Sequence, residues 1–177
     1  MIIAQAIIQL KAFARQDGAI LALVWIASFA SLVISPQTSW GNLLALSTPF
    51  IVGWRLSKFR NYALDGVISF RRALAYSWYT FFYASLLFAI AQFLYFRFMN
   101  NGVITSMMMQ TANMMIPYYK AQGMSAAEIH SAVNMLTTLS PLQITFLFMM
   151  QNLFIGLIIS LPIAAVCARR VKKTKIE

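Results

Sequence analysis

From Leu142 to Ala168 the chain runs for 27 residues without one charged side chain. At ~1.5 Å of rise per residue a helix over this run would measure ~40 Å, against ~30 Å for the hydrocarbon core of a bilayer. A helix apolar on all sides is buried in a large protein or spans a membrane. A chain of 177 residues is one domain by length and offers no interior of that size. The run is therefore read as a membrane span. Being longer than the core, it should tilt or protrude, and Pro162 is a place for a kink.

Three further runs share this character. Gly18–Ile34 has no charge and ends at the turn signal Ser35-Pro36-Gln37-Thr38-Ser39. Residues 73–97 are rich in aromatics and close at Arg97. Residues 40–55 are short and contain Pro49, but Trp40 and Trp54 bracket them as interface anchors do. A re-entrant hairpin stays open for that run. Composition agrees: 60% of the chain is apolar and 10% charged, where soluble domains carry about 25% charged residues. The mean hydropathy is +0.71.

The net charge of +10 falls at the ends of these runs. Lys11, Arg15, Arg55, Lys58, Arg60, Arg71, Arg72 and the tail Arg169, Arg170, Lys172, Lys173 and Lys175 lie on one side of a four-span layout. Only Arg97 and Lys120 lie on the other. The positive-inside rule then puts both termini in the cytoplasm. The charge is accounted for without nucleic acid, and membrane lipid is the expected partner.

The expected architecture is all-α: a polytopic membrane protein with spans at about 18–34, 40–55, 73–97 and 141–168. An N-terminal interfacial helix precedes them, because Ile2, Ile3, Ala6, Ile7, Leu10, Phe13 and Ala14 recur at helical spacing. No secretory signal is read there, since no basic residue precedes the apolar stretch. Residues 55–72 read as a basic loop with a turn at Asp65-Gly66, and 169–177 as a basic cytoplasmic tail. The extracytoplasmic segment 99–140 should hold two helices. Gly123 stops the first, and Ser125 with Glu128 forms a capping box for the second. Ile129, Ala132, Val133, Leu136 and Leu139 give that second helix an apolar face. Ser140-Pro141 then starts the last span as N-cap and first helical residue.

Few residues offer chemistry. One cysteine, Cys167, permits no internal disulfide, and one histidine, His130, cannot build a triad or a His-rich metal site. No paired carboxylates, phosphate loop or HExxH motif occurs, so no catalytic residue and no cofactor is expected. Asp17 and Asp65 would meet only if their loops folded together. The span middles carry no ionisable group, which argues against an ion-coupled transporter. Asn152, Gly156, Ser160 and Ala164 recur every four residues, a small-residue face for packing inside the bundle or against a partner. Met107, Met108, Met114, Met115 and His130 are weak Cu(I) candidates, since thioethers are soft ligands, although methionine is also ordinary apolar filler.

Several stretches point to a known family. They are Ala14-Arg15-Gln16-Asp17-Gly18, Thr48-Pro49-Phe50 and Gly66-Val67-Ile68-Ser69-Phe70-Arg71-Arg72-Ala73. Further along come Gly123-Met124-Ser125 with Glu128, Ser140-Pro141, and Gly156-Leu157-Ile158-Ile159-Ser160-Leu161 before a basic tail. In this order they resemble the bacterial membrane proteins grouped as domain of unknown function 4199. The resemblance covers nearly the whole chain. It implies a four-span protein of the bacterial inner membrane and brings no activity with it.

The function expected from the sequence is a non-catalytic accessory or scaffold role exerted through helix–helix contacts, with a homo-oligomer or another membrane protein as partner. The alternative is a small transport or channel component whose polar path would use Gln92, Gln143, Gln151 and Asn152. Copper handling ranks third.

Overall fold

The computed structural model describes residues 2–99 and 102–169; the expected loop residues Asn100 and Asn101 and the tail from Arg170 onward lie outside the described residues. Among the described residues seven α-helices follow one another: α1 Ile2–Ile34, α2 Trp40–Leu46, α3 Thr48–Ala63, α4 Phe70–Leu94, α5 Val103–Ala121, α6 Ala126–Thr137 and α7 Pro141–Cys167. A π-helical turn, Tyr95–Met99, prolongs α4. No strand occurs among the described residues; a single antiparallel bridge joins Ile68 to Arg169. Three helical stretches are long and apolar enough to cross a membrane: Gln5–Ile34, Phe70–Met99 and Pro141–Cys167.

Their surfaces agree with that use. Leu157, Ile158, Leu161 and Val166 of α7 and Leu86, Leu87, Ile90 and Leu94 of α4 are all exposed. A water-soluble monomer rarely shows contiguous apolar surface on this scale. The chain is an all-helical membrane protein.

Two sequence expectations change. The N-terminal stretch is not a separate interfacial helix: α1 is continuous through Asp17-Gly18. The reason is packing. Leu10 and Ala14 are buried in the same core as Leu21 and Ala22. Gly18 lets α4 come close, since a Cβ there would lie 2.9 Å from the carbonyl oxygen of Thr80. The basic loop is also much shorter than expected. Residues 55–63 continue α3, and the connection to α4 is only residues 64–69. Pro49 does not interrupt a helix but sits in the first turn of α3, where its missing N–H costs no bond. Ser47 ends α2 and precedes α3, so the second run is two helices in succession.

α2 and α3 run antiparallel to α1. The Ser28 hydroxyl donates to the carbonyl of Gly41 at 2.7 Å, Trp25 Nε1 donates to Thr48 Oγ1 at 2.9 Å, and Phe59 meets Phe13 at a ring separation of 5.1 Å. α4 is the central helix, packed on α1 and α7 and touched by α3. The buried core gathers at one end, which we call the basic end: Leu56, Phe59, Ile68, Ala73, Tyr76, Ile163, Ala164 and Cys167 close it. At the opposite end α5 and α6 form a hairpin that packs chiefly on itself. Gly123, at φ 89°, makes the turn between them, a conformation that costs glycine no Cβ clash.

Candidate functional site

The two ends of the bundle are built differently. At the basic end, Asp17 of α1 is 2% exposed yet charged. It accepts from Arg55 Nε at 2.6 Å, forms an ion pair with the same guanidinium, and accepts from the Tyr76 hydroxyl. Tyr76 stacks on Phe59 with ring centroids 4.8 Å apart. Burying one such charge alone would be prohibitive; a pair with its oxygens bonded is tolerable. A second arginine, Arg60, is buried and donates through Nη1 to the carbonyl of Cys167 at 2.8 Å. The Cys167 thiol lies 3.6 Å from the carbonyl of Gly53. These bonds fasten α3 to α1, α4 and α7. Asp65, the other acid on this side, is exposed and makes no part of the cluster. The Asp17–Arg55–Tyr76 group was hidden in the sequence because its members are 38 and 59 residues apart.

The hairpin end is hollow. A cavity of about 1040 Å³ lies between α1, the α2–α3 segment, α4 and α7, with α5 and α6 as its roof. That volume stands at the upper end of the range for small-molecule sites, roughly 300–1,000 Å³. Trp25, Pro49, Phe81, Gly156 and Ile159 form its inner wall, and Phe29, Leu32, Phe88, Phe148 and Ile155 its sides. α3 and α7 touch near the basic end, through Gly53, Ser57 and Cys167. Further along, Leu46 and Pro49 on one side and Ile155 and Ile159 on the other face the same space. The two helices are thus parted there by the cavity.

The polar groups of this wall are few. Gln92, Gln151 and Asn152 line it, and Gln92 is 4% exposed with its Oε1 bonded to nothing among the described residues. Ser28 and Thr48 also line it, but their hydroxyls are engaged with Gly41 and Trp25. Gln143 is elsewhere: it is the third residue of α7, and its side chain accepts from the Ser140 amide at 2.9 Å in a capping box that Pro141 follows.

Glu128 reaches the cavity rim. It accepts from the Ser125 amide at 2.7 Å and from the Ser125 hydroxyl at 2.9 Å, which holds its carboxyl below the ordinary value. Of the apolar face expected on α6, Ile129, Ala132 and Val133 turn to the cavity.

The methionines divide. Met107, Met108 and Met115 line the roof, whereas Met114 is 67% exposed and His130 is not on the wall. No group of three His, Cys, Asp or Glu able to hold a metal occurs among the described residues.

The four-residue stripe of α7 is also divided. Gly156, Ser160 and Ala164 are buried, and Gly156 faces the Phe81 ring so closely that a Cβ would lie 2.6 Å from it. The Ser160 hydroxyl donates to the Gly156 carbonyl at 2.6 Å. Asn152, at the outer end of the stripe, faces the cavity instead.

No curated protein and no solved structure matches the chain. A family profile, described as protein of unknown function, matches residues 16–169, which include the buried ion pair, the cavity wall and the hairpin roof. The chain belongs to that family, DUF4199.

Proposed function

We propose that this protein is a non-catalytic inner-membrane component that receives a small molecule in the cavity beneath the α5–α6 hairpin. The observation that carries the reading is the cavity itself, a largely apolar space whose wall includes Gln92 with a buried, unpaired carboxamide oxygen. A buried acceptor without a partner costs roughly 1–3 kcal/mol, which a ligand donor would recover. This favours the transport-component role over a scaffold acting through the small-residue stripe, because Gly156, Ser160 and Ala164 are already covered within the bundle.

The layout we propose has four crossings with both termini in the cytoplasm. The α2–α3 segment runs the length of α1 in the opposite direction, and its 24 residues from Trp40 to Ala63 would extend ~36 Å. Its arginines explain why hydropathy alone passes it over. Arg55 is neutralised by Asp17, and Arg60 is capped by the Cys167 carbonyl. Lys58 lies over the Trp54 ring at 4.0 Å, an arrangement suited to the membrane interface. The basic end then faces the cytoplasm, and the hairpin and cavity face outward.

Single cysteines at Thr111, Gln151 and Asn152 in a Cys167→Ala background test the reading, with Leu157→Cys as a lipid-facing control. The expected result is labelling of the three cavity positions by a water-soluble maleimide added outside intact cells, with Leu157→Cys unreactive. Cavity positions as unreactive as the control would remove the receiving role.

A further inference from the structure

The occupant of this cavity is constrained by depth, polarity and charge. Along α4 the wall extends from Phe81 to Gln92, and along α7 from Phe148 to Ile159. Each stretch is twelve residues, whose ends are ~16 Å apart along the helix, about half of the ~30 Å hydrocarbon core. The cavity is as deep as one leaflet.

Its polarity is graded. Phe96 stacks on Phe148 at 6.0 Å, and Gly156 meets Phe81, so Gln92 on α4 and Asn152 on α7 each lie between those two contacts. The carboxamides therefore sit above an apolar floor made by Trp25, Phe81 and Ile159. Gln92 carries the buried, unpaired Oε1. The hydroxyls of Ser77 and Ser85 are unpaired too, but they are not on the wall, and a helical serine can turn to the carbonyl four residues back as Ser160 does. A glutamine oxygen has no such local donor and calls for one from outside. Among the described residues no lysine or arginine lines the cavity, and Glu128 at the rim is an anion.

We infer, on the basis of the receiving role above, that the cavity holds a membrane lipid of the outer leaflet with an uncharged, hydroxyl-bearing headgroup. Its chain lies against Trp25 and Phe81. Its headgroup hydroxyl donates to Gln92 Oε1, with Asn152 and Gln151 beside it. A phosphate headgroup would meet carboxamides and the Glu128 carboxylate with no cation to balance it. The methionines of the roof, Met107, Met108 and Met115, give an unbranched, adaptable cover for chains of different length.

Trp25 reports directly on occupancy. A variant that keeps only this tryptophan (Trp40→Phe, Trp54→Phe, Trp78→Phe) is purified in detergent. It is titrated with bromine-labelled monoacylglycerol and, separately, with bromine-labelled lysophosphatidylglycerol of equal chain length. Saturable quenching at about tenfold lower concentration of the neutral lipid is expected. Gln92→Leu, which keeps the volume and removes the acceptor, should abolish that preference while leaving chain-dependent quenching.

Equal or tighter response to the anionic lipid, or a preference that survives Gln92→Leu, would overturn the headgroup assignment and leave the receiving role standing. No saturable quenching by either lipid, from protein whose helicity and elution match the parent, would overturn the lipid assignment. Maleimide labelling of Gln151→Cys and Asn152→Cys reads the receiving role separately.

Discussion

At the residue scale, the buried pair of Asp17 and Arg55 decides whether α3 can lie against α1. Asp17→Ala would leave a guanidinium with no counter-charge at a site where the pair is mostly shielded from water. Breaking such a pair typically costs ~3–5 kcal/mol, whereas replacing both members with apolar side chains costs much less. Asp17→Leu and Arg55→Met should each lower the thermal midpoint in detergent, and the two substitutions together should recover most of the loss. Additive losses in that cycle would contradict the pairing. Glu128 gives a pH-dependent counterpart at the other end. Its carboxyl is held below its ordinary value of 4.5 by the Ser125 amide and hydroxyl. A lowered value means the cap is at full strength above pH 4.5 and is lost as pH falls through the lower folded-state value. The Ser125 amide resonance should shift with a midpoint below 4.5, and Glu128→Gln should abolish that titration. The capping residues were legible in the sequence because a capping box is local, four residues long. Asp17, Arg55 and Tyr76 were not, because no local pattern joins charges brought together from three helices.

At the scale of elements, the long apolar helices were readable from composition alone, since 27 uncharged residues in α7 admit few other fates. What periodicity could not supply was continuity. The amphipathic stretch before Gly18 looks like an interfacial helix when read alone, but burial of Leu10 and Ala14 joins it to the first span. The basic stretch after Trp54 looks like a loop until its arginines are seen paired inside the bundle. The small-residue stripe of α7 was visible as spacing, and the structure shows where it is used. At Gly156 a side chain would strike the Cβ and ring of Phe81, atoms that cannot move without shifting α4. Gly156→Leu should therefore destabilise the α4–α7 contact by about 1–3 kcal/mol or more. Urea or thermal unfolding in detergent checks this, with the exposed Leu157→Ala as a control that changes little. Equal stability of Gly156→Leu and the parent would mean that the two helices do not meet there.

For the whole molecule, the account is of a bundle sealed at one end and hollow at the other. The sealed end gathers most of the buried side chains, the half-buried Arg55 and the buried Arg60. The hollow end is roofed by a methionine-rich hairpin that packs chiefly on itself. The sequence marked Gln92, Gln151 and Asn152 as a polar path, but not that they would share one cavity wall, nor that Gln143 would be spent on a helix cap. Those outcomes depend on how α4 and α7 are rotated about their axes, which only tertiary packing sets. The proposed outward-facing cavity requires that the α2–α3 segment cross the membrane fully and not turn back. Trp40 and Tyr62, 69% and 85% exposed, stand at its two ends and are free to carry a label. The measurement is impermeable-maleimide labelling of Trp40→Cys and Tyr62→Cys, each in a Cys167→Ala background, in intact and in permeabilised cells. The account predicts that position 40 reacts from outside and position 62 only after permeabilisation. Reaction of both positions from the same side would contradict it.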